Sequence, residues 1–136
     1  MTAVFADTYY FLGLVSRRDK AHQKCVAFSQ SSDRPVVTTT WVLLELGDAL
    51  RRGHDRAVFS ALLADIANDP DTTLVVADQS MFEKAVELYH SRPDKEWSLT
   101  DCTSFVVMHE RGLTEALTSD HHFEQAGFAA LLSSGS

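Results

Sequence analysis

At 136 residues, 45% hydrophobic and 10% aromatic, the chain has the size of a single domain able to bury its own core, and its composition is not that of a disordered or fibrous protein. A formal net charge of −7 argues against a passive nucleic-acid binder, which holds phosphates with surplus Lys and Arg. It leaves room for an enzyme that meets phosphate through cations gathered by clustered carboxylates.

The N-terminal stretch MTAVFADTYYFLGLV is apolar but is interrupted by Asp7 and has no basic leader. It reads as neither a signal peptide nor a membrane span, so a cytoplasmic location and no membrane partner are expected. Cys25 and Cys102 lie far apart in helical patterns with no CxxC, which suits a reducing compartment.

In chain order, residues 4–6 read as a buried strand entering a turn at Asp7-Thr8, and the apolar run 9–15 as a first helix. An Asp at 19 starts a second helix to about residue 30, and Pro35 leads into a β-branched strand at 36–39. The helix at 40–52 carries Val42, Leu43, Leu46, Ala49 and Leu50 on its broad apolar side. Trp41, Glu45, Asp48 and Arg52 share one narrow stripe. Gly53 ends it; a fourth helix runs from 55 to the stop at Asn68-Asp69-Pro70-Asp71. A third strand is expected at 72–77, an amphipathic helix at 78–90, a helix at 98–111, a strand at 115–118, a turn at 119–123 and a last strand near 128–132. Strands alternating with helices predict an α/β fold: a three-layer α/β/α sandwich around a mainly parallel sheet, in one domain over residues 1–136.

Ligands in such sheets sit beyond the carboxyl ends of the strands, and three acids, Asp7, Asp78 and Asp120, follow strand candidates. Each has a plain alternative as a turn or capping residue. Asp78 is assigned to that alternative, because it directly opens an amphipathic helix that needs a cap. Asp101 stands three positions after Ser98, the spacing of a capping box, and that geometry also fixes a carboxylate at a helix end facing the strand termini. Glu45 lies in VLLEL, either on a solvent stripe or lining a cleft where charge is required. Hard dications such as Mg²⁺ and Mn²⁺ take carboxylate oxygens, so four convergent acids would suit phosphoryl chemistry. Zinc is not expected: His121 and His122 are adjacent in a turn, the other histidines are scattered, and no HExxH or Cys/His finger spacing occurs. Walker A, GxGxxG and GxSxG motifs are also absent.

Taken together, Asp7-Thr8, Glu45, Ser98-Leu99-Thr100-Asp101 and Thr118-Ser119-Asp120-His121-His122-Phe123 resemble a PIN-domain ribonuclease, in particular the VapC-type toxins of bacterial toxin–antitoxin pairs. The resemblance spans essentially the whole chain. It departs at Tyr9 and Tyr10, where many members carry a small residue. It implies an acidic pocket holding Mg²⁺ or Mn²⁺, with Asp7, Glu45, Asp101 and Asp120 as both metal-binding and catalytic residues. It also implies endonucleolytic RNA hydrolysis, a cognate antitoxin and a homodimer. Substrate contacts are expected from Thr8 and Ser119 and from the basic Arg17, Arg18, Arg51 and Arg52, with Lys20 and Arg56 nearby; as single residues these cations also read as solvated helix ends. Two other functions compete. A binding module of the same fold would not need the full set of acids. A haloacid-dehalogenase-type phosphatase wants a second Asp two residues after the first, and residue 9 is Tyr.

Overall fold

Val4–Ala6 (β1) is fully buried, as a strand covered on both faces should be, and it occupies the middle of the sheet. The computed structural model describes residues 2–133. Within them β1 is followed by Thr8–Val15 (α1), His22–Ser31 (α2), Val36–Thr39 (β2), Thr40–Ala49 (α3), Asp55–Asn68 (α4), Thr72–Val75 (β3) and Gln79–Ser91 (α5). Leu99–Glu110 (α6), Glu115–Leu117 (β4), His121–Gln125 (α7) and Ala129–Ala130 (β5) complete the order. The strands form a five-stranded, wholly parallel sheet in the order β3-β2-β1-β4-β5. Right-handed crossovers put α1 to α4 on one face and α5 to α7 on the other. Helix packing agrees within each layer, where α1 meets α2 and α3, α3 meets α4, α5 meets α6, and α6 meets α7; α3 also meets α6. This is the expected three-layer sandwich.

The differences from the sequence expectation are local. The segment 119–123, expected as a turn, contains the start of α7, because Asp120 caps a single helical turn that is too short to show periodicity. Helix α3 stops at Ala49 rather than Arg52: the Arg51 guanidinium donates to the Asp48 carbonyl oxygen at 2.8 Å, and Arg56 donates to that of Arg51 at 2.9 Å. Strand β3 ends at Val75, and β5 holds two residues only. At the end of α6, Gly112 adopts φ +66°, and the Leu113 N–H donates to Met108 O at 2.8 Å, turning the chain into β4.

Two features fix where the strand ends lie. An aromatic cluster seats α6 and α7 against β1: Phe123 stacks edge-on to Phe105 at 5.0 Å and lies 6.3 Å from Phe5, while Trp97 meets Phe105 at 5.1 Å. Phe5 and Phe123 are completely buried. At the opposite end of the sheet, Arg34 donates to Glu115 at 2.6 Å and to the Thr2 carbonyl oxygen at 2.9 Å, tying the starts of β1, β2 and β4 together. On the other face Tyr10 is buried edge-on to Phe28 at 6.0 Å, so this departure from the family pattern is absorbed by the packing of α1 on α2. Among the described residues no helix is long and apolar enough to cross a membrane.

Candidate active site

The carboxyl ends of β1 and β4 lie side by side, with Phe5 opposite Ala116 and Ala6 opposite Leu117. The residues that follow therefore meet. Asp7 sits at the junction of β1 and α1 with extended backbone (φ −90°, ψ 167°), the geometry of a helix cap, yet its carboxylate makes no capping hydrogen bond. It accepts instead from Thr118 Oγ1 at 3.0 Å, a hydroxyl at the end of β4. Asp78 behaves differently. Its carboxylate accepts the Met81 N–H at 2.8 Å and caps α5, as its sequence position indicates.

Three further acids surround Asp7. Glu45 projects from the second turn of α3, and its Oε1 accepts from Thr8 Oγ1 at 2.5 Å, so the residue beside Asp7 aims Glu45. The two alternatives for Glu45 converge: it is exposed, and it faces the strand ends. Asp101 completes the capping box of α6, accepting the Ser98 N–H at 3.1 Å while Ser98 Oγ accepts the Asp101 N–H at 2.9 Å. Its side chain is only 14% exposed. Asp120 caps α7 by accepting the His122 N–H at 2.9 Å, and its own N–H donates to Thr118 Oγ1 at 3.1 Å. Thr118 thus links Asp7 to Asp120, and His122 links Asp101 to Asp120, with Nδ1 lying 3.0 Å from Asp101 Oδ2 and 3.4 Å from Asp120 Oδ1.

The electrostatics follow from this crowding. Burial, reinforced by the negative charges of Glu45 and Asp101, pushes the Asp7 carboxyl up to about 7 against the pull of the Thr118 hydroxyl and the Thr8 N–H. Among the described residues no Lys or Arg pairs with any of the four acids. A desolvated carboxylate with like-charged neighbours and no basic partner is the donor set that a divalent cation compensates, and oxygen donors suit a hard one. The acids form an open ring. Among the described residues the trio whose donor atoms all lie within 4.8 Å of one another is Asp120, His121 and His122. An ion in the ring would therefore keep several of its waters, as Mg²⁺ does.

The other expected contacts lie elsewhere or have other partners. Thr8 is buried with its hydroxyl spent on Glu45, and Ser119 is half-buried between Thr118 and Asp120. Arg17 and Arg18 are exposed beyond the far end of α1, and Arg51 and Arg52 beyond the far end of α3, away from the turns that carry the acids. Cys102 is fully buried, and burial with the neighbouring Asp101 charge pushes its thiol up to about 11, a packing residue and not a nucleophile. Sequence reasoning missed the linking roles of Thr118 and His122. A polar hydroxyl closing an otherwise apolar strand was the available signal for the first; the second depends on tertiary packing.

Comparison with known proteins places this geometry. The family model described as PIN domain matches residues 4–129. The chain is 32% identical over 127 residues to the 23S rRNA-specific endonuclease VapC20 of Mycobacterium tuberculosis, covering 92% of this chain and 95% of the relative. The crystal structure of M. tuberculosis VapC20, described as a sarcin-ricin loop cleaving toxin, superposes with a TM-score of 0.85 at 26% identity, covering 94% of this chain and 98% of that one. VapBC2 from Rickettsia felis, solved with a promoter DNA fragment, shares the fold with a TM-score of 0.67 at 8% identity, covering 95% and 97% of the two chains. FitAcB from Neisseria gonorrhoeae shares it with a TM-score of 0.65 at 16% identity, covering 93% and 94%. The strand order and these matches agree, and the chain belongs to the PIN-domain family, within its VapC group.

Proposed function

We propose that the protein is a divalent-metal-dependent endoribonuclease, the toxin of a toxin–antitoxin pair, with Mg²⁺ or Mn²⁺ held by Asp7, Asp101 and Asp120. The observation that carries the reading is Asp7: an uncapped, half-buried carboxylate beside Glu45 and Asp101 with no basic partner. When bound, the cation supplies neutralisation of the charge developing on the scissile phosphate and acidifies the attacking water. The chain's own residues do the rest. Thr118 and His122 hold the acids at fixed spacing, so the site needs little rearrangement when phosphate arrives. Glu45, aimed by Thr8, takes the proton from the attacking water on its free Oε2.

The substrate is structured RNA, and the VapC20 likeness makes a sarcin-ricin-type loop of ribosomal RNA the first substrate to try. Ser119 beside the ring, and Arg17, Arg18, Arg51 and Arg52 further out, supply phosphate contacts to RNA extending beyond the pocket. A cognate antitoxin is the protein partner. The exposed apolar Leu44, Val76, Phe82 and Tyr89 offer surface for that partner or for a second copy in a homodimer. The test is cleavage of a sarcin-ricin-loop RNA and of total cellular RNA with Mg²⁺, with Mn²⁺ and with EDTA. Wild type should cut with either ion and not with EDTA, and Asp7→Asn and Asp101→Asn should lose at least about 100-fold in rate while folding normally. Equal cleavage by wild type and both variants would sink this assignment of the site. No cleavage by metal-loaded wild type would favour a binding module.

A further inference from the structure

The two adjacent histidines of α7 converge on one carboxylate oxygen. His122 Nδ1 lies 3.4 Å and His121 Nδ1 3.7 Å from Asp120 Oδ1, and the two rings are 4.5 Å apart. Consecutive helical side chains ordinarily diverge by about 100° around the axis. We propose that Asp120, His121 and His122 form a binding site for a borderline transition-metal dication of the Zn²⁺ class, separate in selectivity from the carboxylate ring.

Three considerations support the site. Zinc–nitrogen and zinc–oxygen bonds are about 2.0 to 2.2 Å, which sets tetrahedral ligand atoms about 3.3 to 3.5 Å apart. The histidine-to-carboxylate separations already lie near that span, and one donor atom from each of the three residues falls within 4.8 Å of the others. The carboxylate is fixed beforehand, because Asp120 accepts the His122 N–H at 2.9 Å and donates its own N–H to Thr118. Asp101 Oδ2, 3.0 Å from His122 Nδ1, stands where it can serve as a fourth ligand. The His121 side chain is 71% exposed, so an ion reaches the site directly from solvent, and imidazole nitrogen prefers Zn²⁺, Co²⁺ or Ni²⁺ to Mg²⁺. Binding requires both Nδ1 atoms unprotonated. It draws Asp120 Oδ1 out of the acid ring, so Zn²⁺ should inhibit Mg²⁺-dependent cleavage; that last step alone rests on the ribonuclease reading.

The experiment titrates Co²⁺ into chelator-treated, full-length protein and follows visible absorption, which is intense for four-coordinate and faint for six-coordinate Co²⁺. One equivalent should give the intense band, Zn²⁺ should bleach it, and a large excess of Mg²⁺ should not. His121→Ala and His121→Gln, at an exposed position, should melt like wild type and weaken Co²⁺ binding at least about 10-fold. No intense band, an unchanged affinity in both variants, or displacement by Mg²⁺ would each overturn the proposal. These readouts need no RNA, so they stand apart from the cleavage test. If cleavage is observed, both variants should retain it with Mg²⁺ and resist Zn²⁺; inhibition unchanged in the variants would overturn the regulatory step.

Discussion

Replacing Asp7 with Asn should make the metal-free protein more stable at neutral and alkaline pH. An ordinary aspartate titrates near 3.8, and Asp7 in the fold near 7. Between these values the folded chain holds a proton that the unfolded chain has released. Its stabilisation is complete below about 3.8 and is lost as pH rises through about 7. At about 1.4 kcal/mol per pH unit the gap amounts to roughly 4 kcal/mol at pH 8, and relaxation with water entry leaves roughly 2 kcal/mol. Asn keeps an oxygen for the Thr118 hydroxyl and carries no charge toward Glu45 or Asp101. For a chain of this length each kcal/mol moves Tm by about 4 °C. Thermal unfolding by circular dichroism in EDTA should show wild type losing Tm from pH 5 to pH 8. Asp7→Asn should change less and melt roughly 5 to 10 °C higher at pH 8. Adding Mg²⁺ should then raise the wild-type Tm, by about 2.7 kcal/mol of stabilisation at a hundredfold excess over Kd, and barely move the variant. An Asn variant that melts at or below wild type at pH 8 in EDTA would refute the reasoning, because Asp7 would then not be a crowded, uncompensated carboxylate.

Thr8→Val keeps the shape of the side chain and removes the hydroxyl that holds Glu45 at 2.5 Å. Far-UV circular dichroism should be unchanged while the rate of Mg²⁺-dependent RNA cleavage falls about 10- to 100-fold; a change within twofold would show that Glu45 needs no such support. Gly13→Ala tests the packing of α1 on α2, where an added Cβ would overlap the buried Cys25 Sγ. Helix propensity favours the change by about 1 kcal/mol and overpacking opposes it by about 1 to 3 kcal/mol, so the urea midpoint should fall; a higher midpoint would mean that Cys25 moves aside freely.

The α/β order was legible because its signals are local. The fully apolar β1, the β-branched β2 and the Ser98–Asp101 capping box each declare themselves within a few residues. The proposed placing of Asp7 and Asp120 drew on a signal of the same kind, since an Asp following a buried strand can occupy few places in a parallel sheet. Asp7 and Asp78 show how far local spacing reaches. Both follow strands, and only Asp78 has an N–H three residues on that it accepts, so only one acid is explained by its own helix. What stayed hidden depends on contacts far apart in sequence. His122 meets Asp101 because Phe123 is locked against Phe105 and Phe5, and no spacing within 119–123 carries that information. The approach of His121 and His122 to a single oxygen of Asp120 is hidden for the same reason. Finger-like spacings describe metals gripped from distant loops, whereas this pair converges from one turn on a single carboxylate.

The Thr118–Asp7 hydrogen bond joins residues 111 positions apart, and β4 can add to the sheet only by pairing with β1. A chain emerging from the ribosome can therefore pair β1 with β2 and β2 with β3 and still lack an assembled site. Asp7 and Glu45 wait on the first face of an incomplete sheet until residues 101 to 122 arrive. Whatever chemistry the acids perform waits on that last pairing, because β4 must close against β1 before Thr118 can reach Asp7 and bring Asp120 beside it.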